Sequence, residues 1–537
     1  MKLTLEGLKD QAAWQAAGIA LPGYDVAQVA QRTKQAPVWV HFGAGNIFRI
    51  FIGGLADQLL SSGAADKGIT CVETFDFDVV DKIYHPYDNL VLAVTLNADG
   101  STDKRVLGSL TEAIKAQSNV AQEWDRLKEI FANPGLQMIS FTITEKGYAL
   151  KNAQGDFFPF IQADIDNGPE KPGSAMAVVC ALLFHRYNSG KAPLAVVSMD
   201  NCSHNGEKLR TSILTMAQAW QEKGFVDQAF VDYVSDEAQV SFPWSMIDKI
   251  TPRPADSVCQ DLAALGVEGM VPVVTSKNTY IAPFVNAEGP QYLVIEDRFP
   301  NGRPALEKAG VYFTDRNTVN QVERMKVTTC LNPLHTALAV YGCVLGYTLI
   351  ADEMKDPQLN KLVHQIGPVE GMPVVTDPGI LSPKAFVDEV LQVRIPNPFM
   401  PDTPQRIATD TSQKVGIRYG ETIKAYVEKY GDAKKLVAIP LAIAGWCRYL
   451  LGVDDQGNAF ERSADPMLPL LTEQLAGVEV GKPESYQGQL KNILSNANIF
   501  GVDLYQAGIG SRVEEMFVEE LAGPGAVRTV LKKYLGE

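Results

Sequence analysis

The stretch VWVHFGAGNIFRIFIGGLADQLL places Gly43 and Gly45 directly after an apolar run and before a helical pattern. Glycine permits a tight turn there and lets the backbone approach a pyrophosphate, whose charge suits the N-terminus of the following helix. Gly43, Gly45, Asn46, Ile47 and Phe48 are therefore candidate cofactor contacts, with Phe48 occupying the position of a third glycine. The next β-rich run, ITCVET, carries Glu73, and Asp76 follows closely. An acid at that place binds a ribose 2′-hydroxyl and repels a 2′-phosphate, so NAD is expected rather than NADP. Glu73 stands somewhat farther from the glycines than the usual ~20 residues, and either acid fits the role. Hydride transfer between an alcohol and NAD needs a base for the hydroxyl proton and donors for the alkoxide. Two clusters could supply them: RMKVTTCLNPLHTAL, with Lys326, Asn332 and His335, and VVSMDNCSHNG, with Asp200, Asn201 and His204.

These residues need a frame. Candidate strands are Val38 to Phe42, Ile69 to Glu73, Val91 to Leu96, Met138 to Thr144 and Ala195 to Met199. They are nearly continuous apolar runs, as expected of strands covered on both faces. Alternating with helical stretches, they indicate a parallel sheet with right-handed crossovers. From about Asn332 the pattern is helical instead: Leu331, Leu334, Leu338, Tyr341 and Leu345 fall along one stripe. Further helices are expected across Pro383 to Val393, Tyr419 to Tyr430, Lys435 to Leu451 and Val513 to Leu535. The Gly- and Pro-rich segment 286–304 is the candidate boundary. The expected fold is α/β, with an N-terminal Rossmann-type dinucleotide-binding domain (1–303) and a mostly α-helical C-terminal substrate and catalytic domain (304–537).

Composition narrows the function classes. A chain of 537 residues exceeds one hydrophobic core, and a net charge of −15 without a basic stripe argues against nucleic acid or an anionic membrane as partner. The N-terminus lacks a secretory pattern, and no run of about eighteen apolar residues spans a bilayer. The seven cysteines are dispersed without any CxxC pair, which suits a reducing cytoplasm. The remaining histidines, His41, His85, His185 and His364, form no metal-ligand spacing, so no catalytic metal is expected.

Seven segments in order give the chain a resemblance to a known family. They are GAGNIFR, SFTITEKGY, SMDNCSHNGEKL, FPWSMIDKITP, VIEDRFPNGRP, KVTTCLNPLH and RIPNPFMPDTPQRIATDTSQKV. The chain resembles the polyol-specific long-chain dehydrogenases/reductases, the mannitol dehydrogenase family, over nearly its whole length. The resemblance implies a metal-independent reaction with Lys326 as general acid/base. It implies Asn201 and Asn332 as donors to the oxygen where charge develops, and His335 orienting substrate or lysine. It places Asp248 beside the nicotinamide and substrate, Glu145 beside the proton path, and Arg394 and His204 at the substrate. The substrate is a small sugar acid or polyol, and the assembly a monomer or small homo-oligomer. Within the family the segments are most similar to those of enzymes interconverting D-fructuronate and D-mannonate, a carboxylate substrate for which Arg394 or Lys414 offers a cation. The rivals are a mannitol or arabinitol 2-dehydrogenase, a tagaturonate reductase and, in another class, a catalytically idle NAD-binding sensor.

One departure touches the centre of the pattern. The family spaces its lysine and asparagine by four residues, whereas VTTCL puts five between Lys326 and Asn332. On an uninterrupted helix the extra residue would rotate Lys326 by about 100° from its partners. Two devices absorb it: a π-bulge, or a new helix capped by Asn332 with Pro333 as its first residue. Plainer roles also exist for several of these residues. Asn332 could serve only as a cap, Asn201 and His204 as turn formers, Glu145 as a turn cap, and Arg394 as a surface partner of Asp388 or Glu389.

Overall fold

In the computed structural model, which describes residues 1–536, six short strands organise the N-terminal part of the chain. They are β1 (Trp39–Phe42), β2 (Ile69–Glu73), β3 (Leu110–Lys115), β4 (Met138–Phe141), β5 (Leu194–Ser198) and β6 (Val240–Ser241). Their order is β3-β2-β1-β4-β5-β6 and every neighbouring pair is parallel. This is the strand order of dinucleotide-binding doubly wound sheets, with the reversal between β1 and β4 marking the place where ligands bind. The strands β1, β2, β4 and β5 are buried along their whole length, which is why their sequences are apolar without alternation.

The crossovers are α1 (Gly53–Ser61), α2 (Ala121–Ala132), α3 (Ala175–Asn188) and α4 (Asn205–Glu222). Val40, Ile139 and Val196 point to one face and pack with α2, α3 and α4. Trp39, Met138, Ala195 and Val197 point to the other, with α1. Each face thus buries its own core, as a sheet covered on both sides requires.

Val91–Leu96 forms as expected but belongs to a different sheet. It pairs antiparallel with Thr102–Leu107 and parallel with Phe284–Glu288. The third parallel position goes to Leu110–Lys115, an edge strand whose sequence mixes polar and apolar residues because its outer side is partly exposed. An apolar run records burial and does not say which neighbour buries it. The buried Arg49 joins the two sheets, donating to Ala282 O at 2.6 and 2.8 Å and to Phe284 O at 3.2 Å.

The N-terminal unit comprises Met1–Asn97 and Ser101–Asn320; Ala98–Gly100 group with the second unit, which otherwise begins at Gln321. The helix α5 (Arg316–Met325) carries the chain from one to the other. The second unit is helical: α6 (Asn332–Leu345), α7 (Glu421–Tyr430), α8 (Ala438–Tyr449), α9 (Gly510–Glu520) and α10 (Ala526–Leu535) are its longer elements. Helices α6 and α8 are buried almost all round, and Gly445 lets them close: a Cβ there would stand 2.4 Å from Tyr341 Cζ. The Tyr341 hydroxyl lies 2.7 Å from both Leu441 O and Glu520 Oε1, with a single proton to share between them. The start of α8 is capped from outside by Glu370, which accepts from the backbone N–H groups of Val437, Ala438 and Ile439 at 2.8 to 2.9 Å. A carboxylate is favoured at a helix N-terminus by the same orphan donors and dipole that bind anions. The single helix expected across Val513 to Leu535 is instead two, broken where Gly523 (φ 129) and Gly525 (φ 79) leave the helical region. No helix among the described residues is long and apolar enough to cross a membrane.

Glu353 is fully buried in this unit, and neither of its carboxyl oxygens has a hydrogen-bond partner. A Cβ on Gly342 would lie 2.2 Å from its Oε1, so the carboxyl is pressed against the backbone of α6. Burial, reinforced by the charge of Asp356, raises its pKa well above the ordinary glutamate range. The folded state therefore keeps a proton that the unfolded chain releases. The stability tied to it is complete below the ordinary glutamate pKa and falls as pH rises toward the folded value. Glu353→Gln should lose that slope and gain stability relative to the native protein as pH rises, read by urea unfolding at about pH 5 and pH 8. Equal pH dependence in the two proteins would refute the assignment.

Candidate active site

The turn after β1 is shaped by the strand beside it. Gly43 has φ 107, and a Cβ there would lie 2.3 Å from Thr142 O at the end of β4, so both the conformation and the space demand glycine. Gly45 is exposed, and a Cβ on it would meet nothing within 4 Å. Phe48 replaces the third glycine by a different packing device. Its ring stacks on that of His41, centroids 4.0 Å apart and 2° from parallel, and a π-helical turn (Phe48–Ile52) makes room before α1 begins. His41 bonds to the hydroxyls of Ser140 at 2.6 Å and Thr142 at 2.8 Å. Burial pushes its pKa well below the usual range, so the ring is a neutral brace under the turn. The Asn46 Oδ1 is buried and has no partner.

The two candidate ribose acids are used differently. Glu73 Oε1 accepts from the backbone N–H groups of Thr74, Phe75 and Asp76, and Oε2 accepts from Ala44 N at 3.0 Å. Its carboxylate thereby ties the end of β2 to the glycine turn. Burial raises its pKa, and these four backbone donors pull it back. Asp76 accepts from the Thr275 hydroxyl at 2.6 Å through Oδ2, while Oδ1 is buried and has no partner.

At the carboxyl ends of β4 and β5, Asp200 arranges the loop. It accepts from Ile143 N and Thr144 N at 2.9 Å and from the Tyr148 hydroxyl at 2.5 Å. Thr144 is held at φ 66, ψ 160, a strained conformation for a β-branched residue that persists only because its N–H is captured. Asn205 donates to Ser198 O, Asp200 O and Ser245 Oγ, binding β5 to the strand Ser245–Asp248 that carries buried Asp248. Asn201 is exposed on the turn between them. His204 is exposed at the start of α4 with φ 52. Its ring stacks 4.5 Å from that of Trp244, and Nε2 meets Asn320 Oδ1 at 3.2 Å. Glu145 is exposed and paired with Lys208. These last two border a groove of about 710 Å³ with Glu145, Tyr148, Lys151, His204, Lys208 and Thr211 among its walls.

In the second unit, Lys326 opens a π-helical turn (Lys326–Cys330) closed by Leu331 N donating to Lys326 O at 3.1 Å. The extra residue is absorbed in this wider turn, and α6 then restarts with Pro333 in its first turn. The surplus carbonyl of Thr328 is satisfied by the Thr422 hydroxyl from α7 at 3.2 Å. Lys326 is 3% exposed. Leu331 holds the capping position and makes no side-chain cap, and Asn332 Oδ1 is buried without a partner. The Asn332 side chain is thus not spent on capping. Burial takes the His335 pKa down to about 4; Asp402 opposes this, and Arg394, Arg418 and Arg406 reinforce it. His335 is accordingly neutral near pH 7, able both to donate and to accept. Arg394 is 2% exposed, in another π-helical turn (Val390–Arg394), and not a surface group. Asp388 pairs with Lys384.

Two contributors escaped sequence reading. Asn205 looks like any loop asparagine, and Arg418 has its partner, Thr336, 82 residues away in sequence. Neither carries a local signal.

Known proteins match this chain throughout. The model described as the mannitol dehydrogenase Rossmann domain matches residues 38–308, and that described as the mannitol dehydrogenase C-terminal domain matches residues 318–521. The D-mannonate oxidoreductase of Thermotoga maritima is 52% identical over 539 residues, covering 100% of this chain and 99% of that protein. The D-mannonate oxidoreductase of Escherichia coli is 29% identical over 497 residues, covering 91% and 92%. Among solved structures, Pseudomonas fluorescens mannitol 2-dehydrogenase in ternary complex with NAD and D-mannitol aligns with a TM-score of 0.71 and 26% identity, covering 100% of both chains.

The glycine turn yields a direct test. Gly43→Ala puts a Cβ against Thr142 O and forces an L-residue to positive φ, so we expect dinucleotide affinity to fall at least about tenfold. Fluorescence titration with NADH reads it, with far-UV circular dichroism as the folding control. Unchanged affinity would show that the turn does not shape the cofactor site.

Proposed function

The chain belongs to the mannitol dehydrogenase family, and we propose that it is the NAD-dependent oxidoreductase interconverting D-fructuronate and D-mannonate. The observation that carries this substrate is the 52% identity to the Thermotoga maritima D-mannonate oxidoreductase across the length of both chains. NAD fits the N-terminal unit by the chemistry of its donor set: an open glycine turn at a helix start, and two buried oxygens without partners, Asn46 Oδ1 and Asp76 Oδ1. With Glu73 committed to four backbone N–H groups, Asp76 is assigned to the ribose hydroxyl. The glycine turn (Gly43, Gly45, Asn46, Ile47, Phe48) and Asp248 complete the cofactor contacts. When bound, NAD supplies the hydride acceptor for oxidation and, reduced, the donor for reduction.

The proton is handled by the C-terminal unit. Lys326 gives its ammonium proton to the ketone oxygen during reduction and recovers it during oxidation. Asn332 donates a hydrogen bond to that oxygen as negative charge develops, the role in which a preorganised donor is worth most; Asn201 is a second candidate donor. Neutral His335 orients substrate or lysine without adding a competing positive charge. Arg394 contacts substrate, and Glu145 and His204 are proposed at its entry and proton path. A cytoplasmic location belongs to the same proposal, supported by seven cysteines that are all free.

The test is NADH oxidation at neutral pH with D-fructuronate, tagaturonate and fructose at matched concentration. Turnover at least about tenfold better in kcat/KM on fructuronate is expected; a preference for fructose would move the protein to the polyol dehydrogenases. Lys326→Ala should lower kcat by about 10²–10⁴ with NADH affinity retained. An active Lys326→Ala would remove the lysine from the chemistry. Asp76→Ala should weaken NADH binding several-fold and narrow the preference over NADPH. An unchanged NADH-to-NADPH ratio would return the ribose to Glu73.

A further inference from the structure

Among the cations that act on His335, Arg418 is distinctive for what it lacks. It lies in a π-helical turn (Gly416–Gly420), half-buried, and partial desolvation pushes its pKa down to about 10. Its Nη1 donates to the Thr336 hydroxyl at 2.5 Å, and among the described residues it forms no ion pair. Thr336 is on α6 and also donates back to Asn332 O at 3.0 Å. Asn332, His335 and Thr336 are spaced i, i+3, i+4, so they share one face of the helix. The guanidinium therefore reaches the same face as the asparagine and histidine assigned to the reacting end of the substrate.

The surroundings accumulate positive charge there. The strongest charges acting on His335 are one carboxylate, Asp402, and three guanidinium groups, Arg394, Arg418 and Arg406. Asp402 is engaged by Arg406. Lys414 donates to Thr409 O at 2.5 Å and likewise has no carboxylate partner among the described residues. Burial and then the charges of Arg418 and Arg406 lower its pKa, and the more distant carboxylates of Asp410 and Asp465 oppose them only in part. A half-buried guanidinium with one neutral acceptor leaves most of its donors open to a ligand, and a charge that bound substrate cuts off from water is costly unless an anion completes it. A carboxylate is the planar, bidentate anion that guanidinium geometry matches. Lys326 and Arg394, both assigned to the reaction, also lie in π-helical turns, and such turns are enriched at functional sites.

We propose that Arg418, backed by Lys414, receives the carboxylate of the substrate and is the residue that selects a keto-sugar acid over the neutral ketose or hexitol. This rests on the reading of the C-terminal unit as the substrate-binding part of a fructuronate reductase. In fructuronate the carboxylate sits at the opposite end of a six-carbon chain from the ketone, so this contact also sets which way round the substrate lies. A neutral polyol places a hydroxymethyl group at the same point and covers the guanidinium without supplying its anion, which gives discrimination by an unmet charge.

The test measures binding without turnover. Calorimetric titration of the NADH-saturated enzyme with D-mannonate, and separately with D-mannitol, is run on the native protein, Arg418→Gln, Arg418→Lys and Thr336→Val. Arg418→Gln should weaken D-mannonate by at least about tenfold, the worth of a lost charge-assisted bond, and shift the mannonate-to-mannitol affinity ratio by a similar factor. Arg418→Lys should restore part of that ratio, and Thr336→Val, which keeps the cation, should move it little. An unchanged ratio in Arg418→Gln, or loss of both ligands alike, would overturn the clamp and make Arg418 a support for α6. Native enzyme that reduces fructose but not fructuronate would reject the substrate reading. The clamp would survive that result if mannonate binding still depended on Arg418. No mannonate binding by the native enzyme would overturn both.

Discussion

At the carboxyl edge of a parallel sheet, each strand hands the chain to a loop whose backbone N–H groups no neighbouring strand can accept. Here buried carboxylates take several of these donors and fix the loops. Glu73 accepts four, three from its own turn and one from the glycine turn. Asp200 accepts two and a tyrosine hydroxyl, holding Thr144 in a strained conformation. Glu370 does the same for the first turn of α8. The exchange serves both sides: a carboxylate leaves water only if hydrogen bonds replace hydration, and the loops gain one fixed conformation. At the sheet edge, the pairings of Glu73 and Asp200 fix the loops that follow β2 and β4.

The division of labour between the two acids after β2 follows from this. An acid committed to the backbone has little left for a ligand, which is why the ribose role is proposed for the neighbour that keeps an unused oxygen. Of the two acids near the end of β2, Glu73 has a folding role visible in its four backbone partners, and the binding role is proposed for Asp76.

In the helical unit the corresponding device is the π-helical turn. Lys326, Arg394 and Arg418 each stand in one. A turn that is one residue too wide frees a carbonyl and displaces a side chain from the regular helical position, at a cost that only nearby partners offset. The Thr422 hydroxyl on Thr328 O is such a partner. The extra residue between Lys326 and Asn332 is therefore a bulge that the surrounding helices support.

How much of this could be read beforehand varies with the range of the interaction. The glycine turn, four of the six parallel strands and the helical second half were legible, because burial periodicity and turn chemistry are local, and the family was legible because its seven segments stand in order. The sheet membership of Val91–Leu96, the edge strand Leu110–Lys115 and the break at Gly523 and Gly525 were not, since an apolar or helical pattern names no partner. The sequence by itself determined which residue types exist for hydride-transfer chemistry and the order in which the chain presents them. Only the tertiary structure decided that Glu73 is bound to the backbone while Asp76 keeps a free oxygen, and that the inserted residue becomes a π-turn. It alone brought Arg418 to the face of α6 that carries Asn332 and His335. Each of these depends on groups meeting from far along the chain, where satisfaction of buried donors and charges, and not local preference, selects the arrangement.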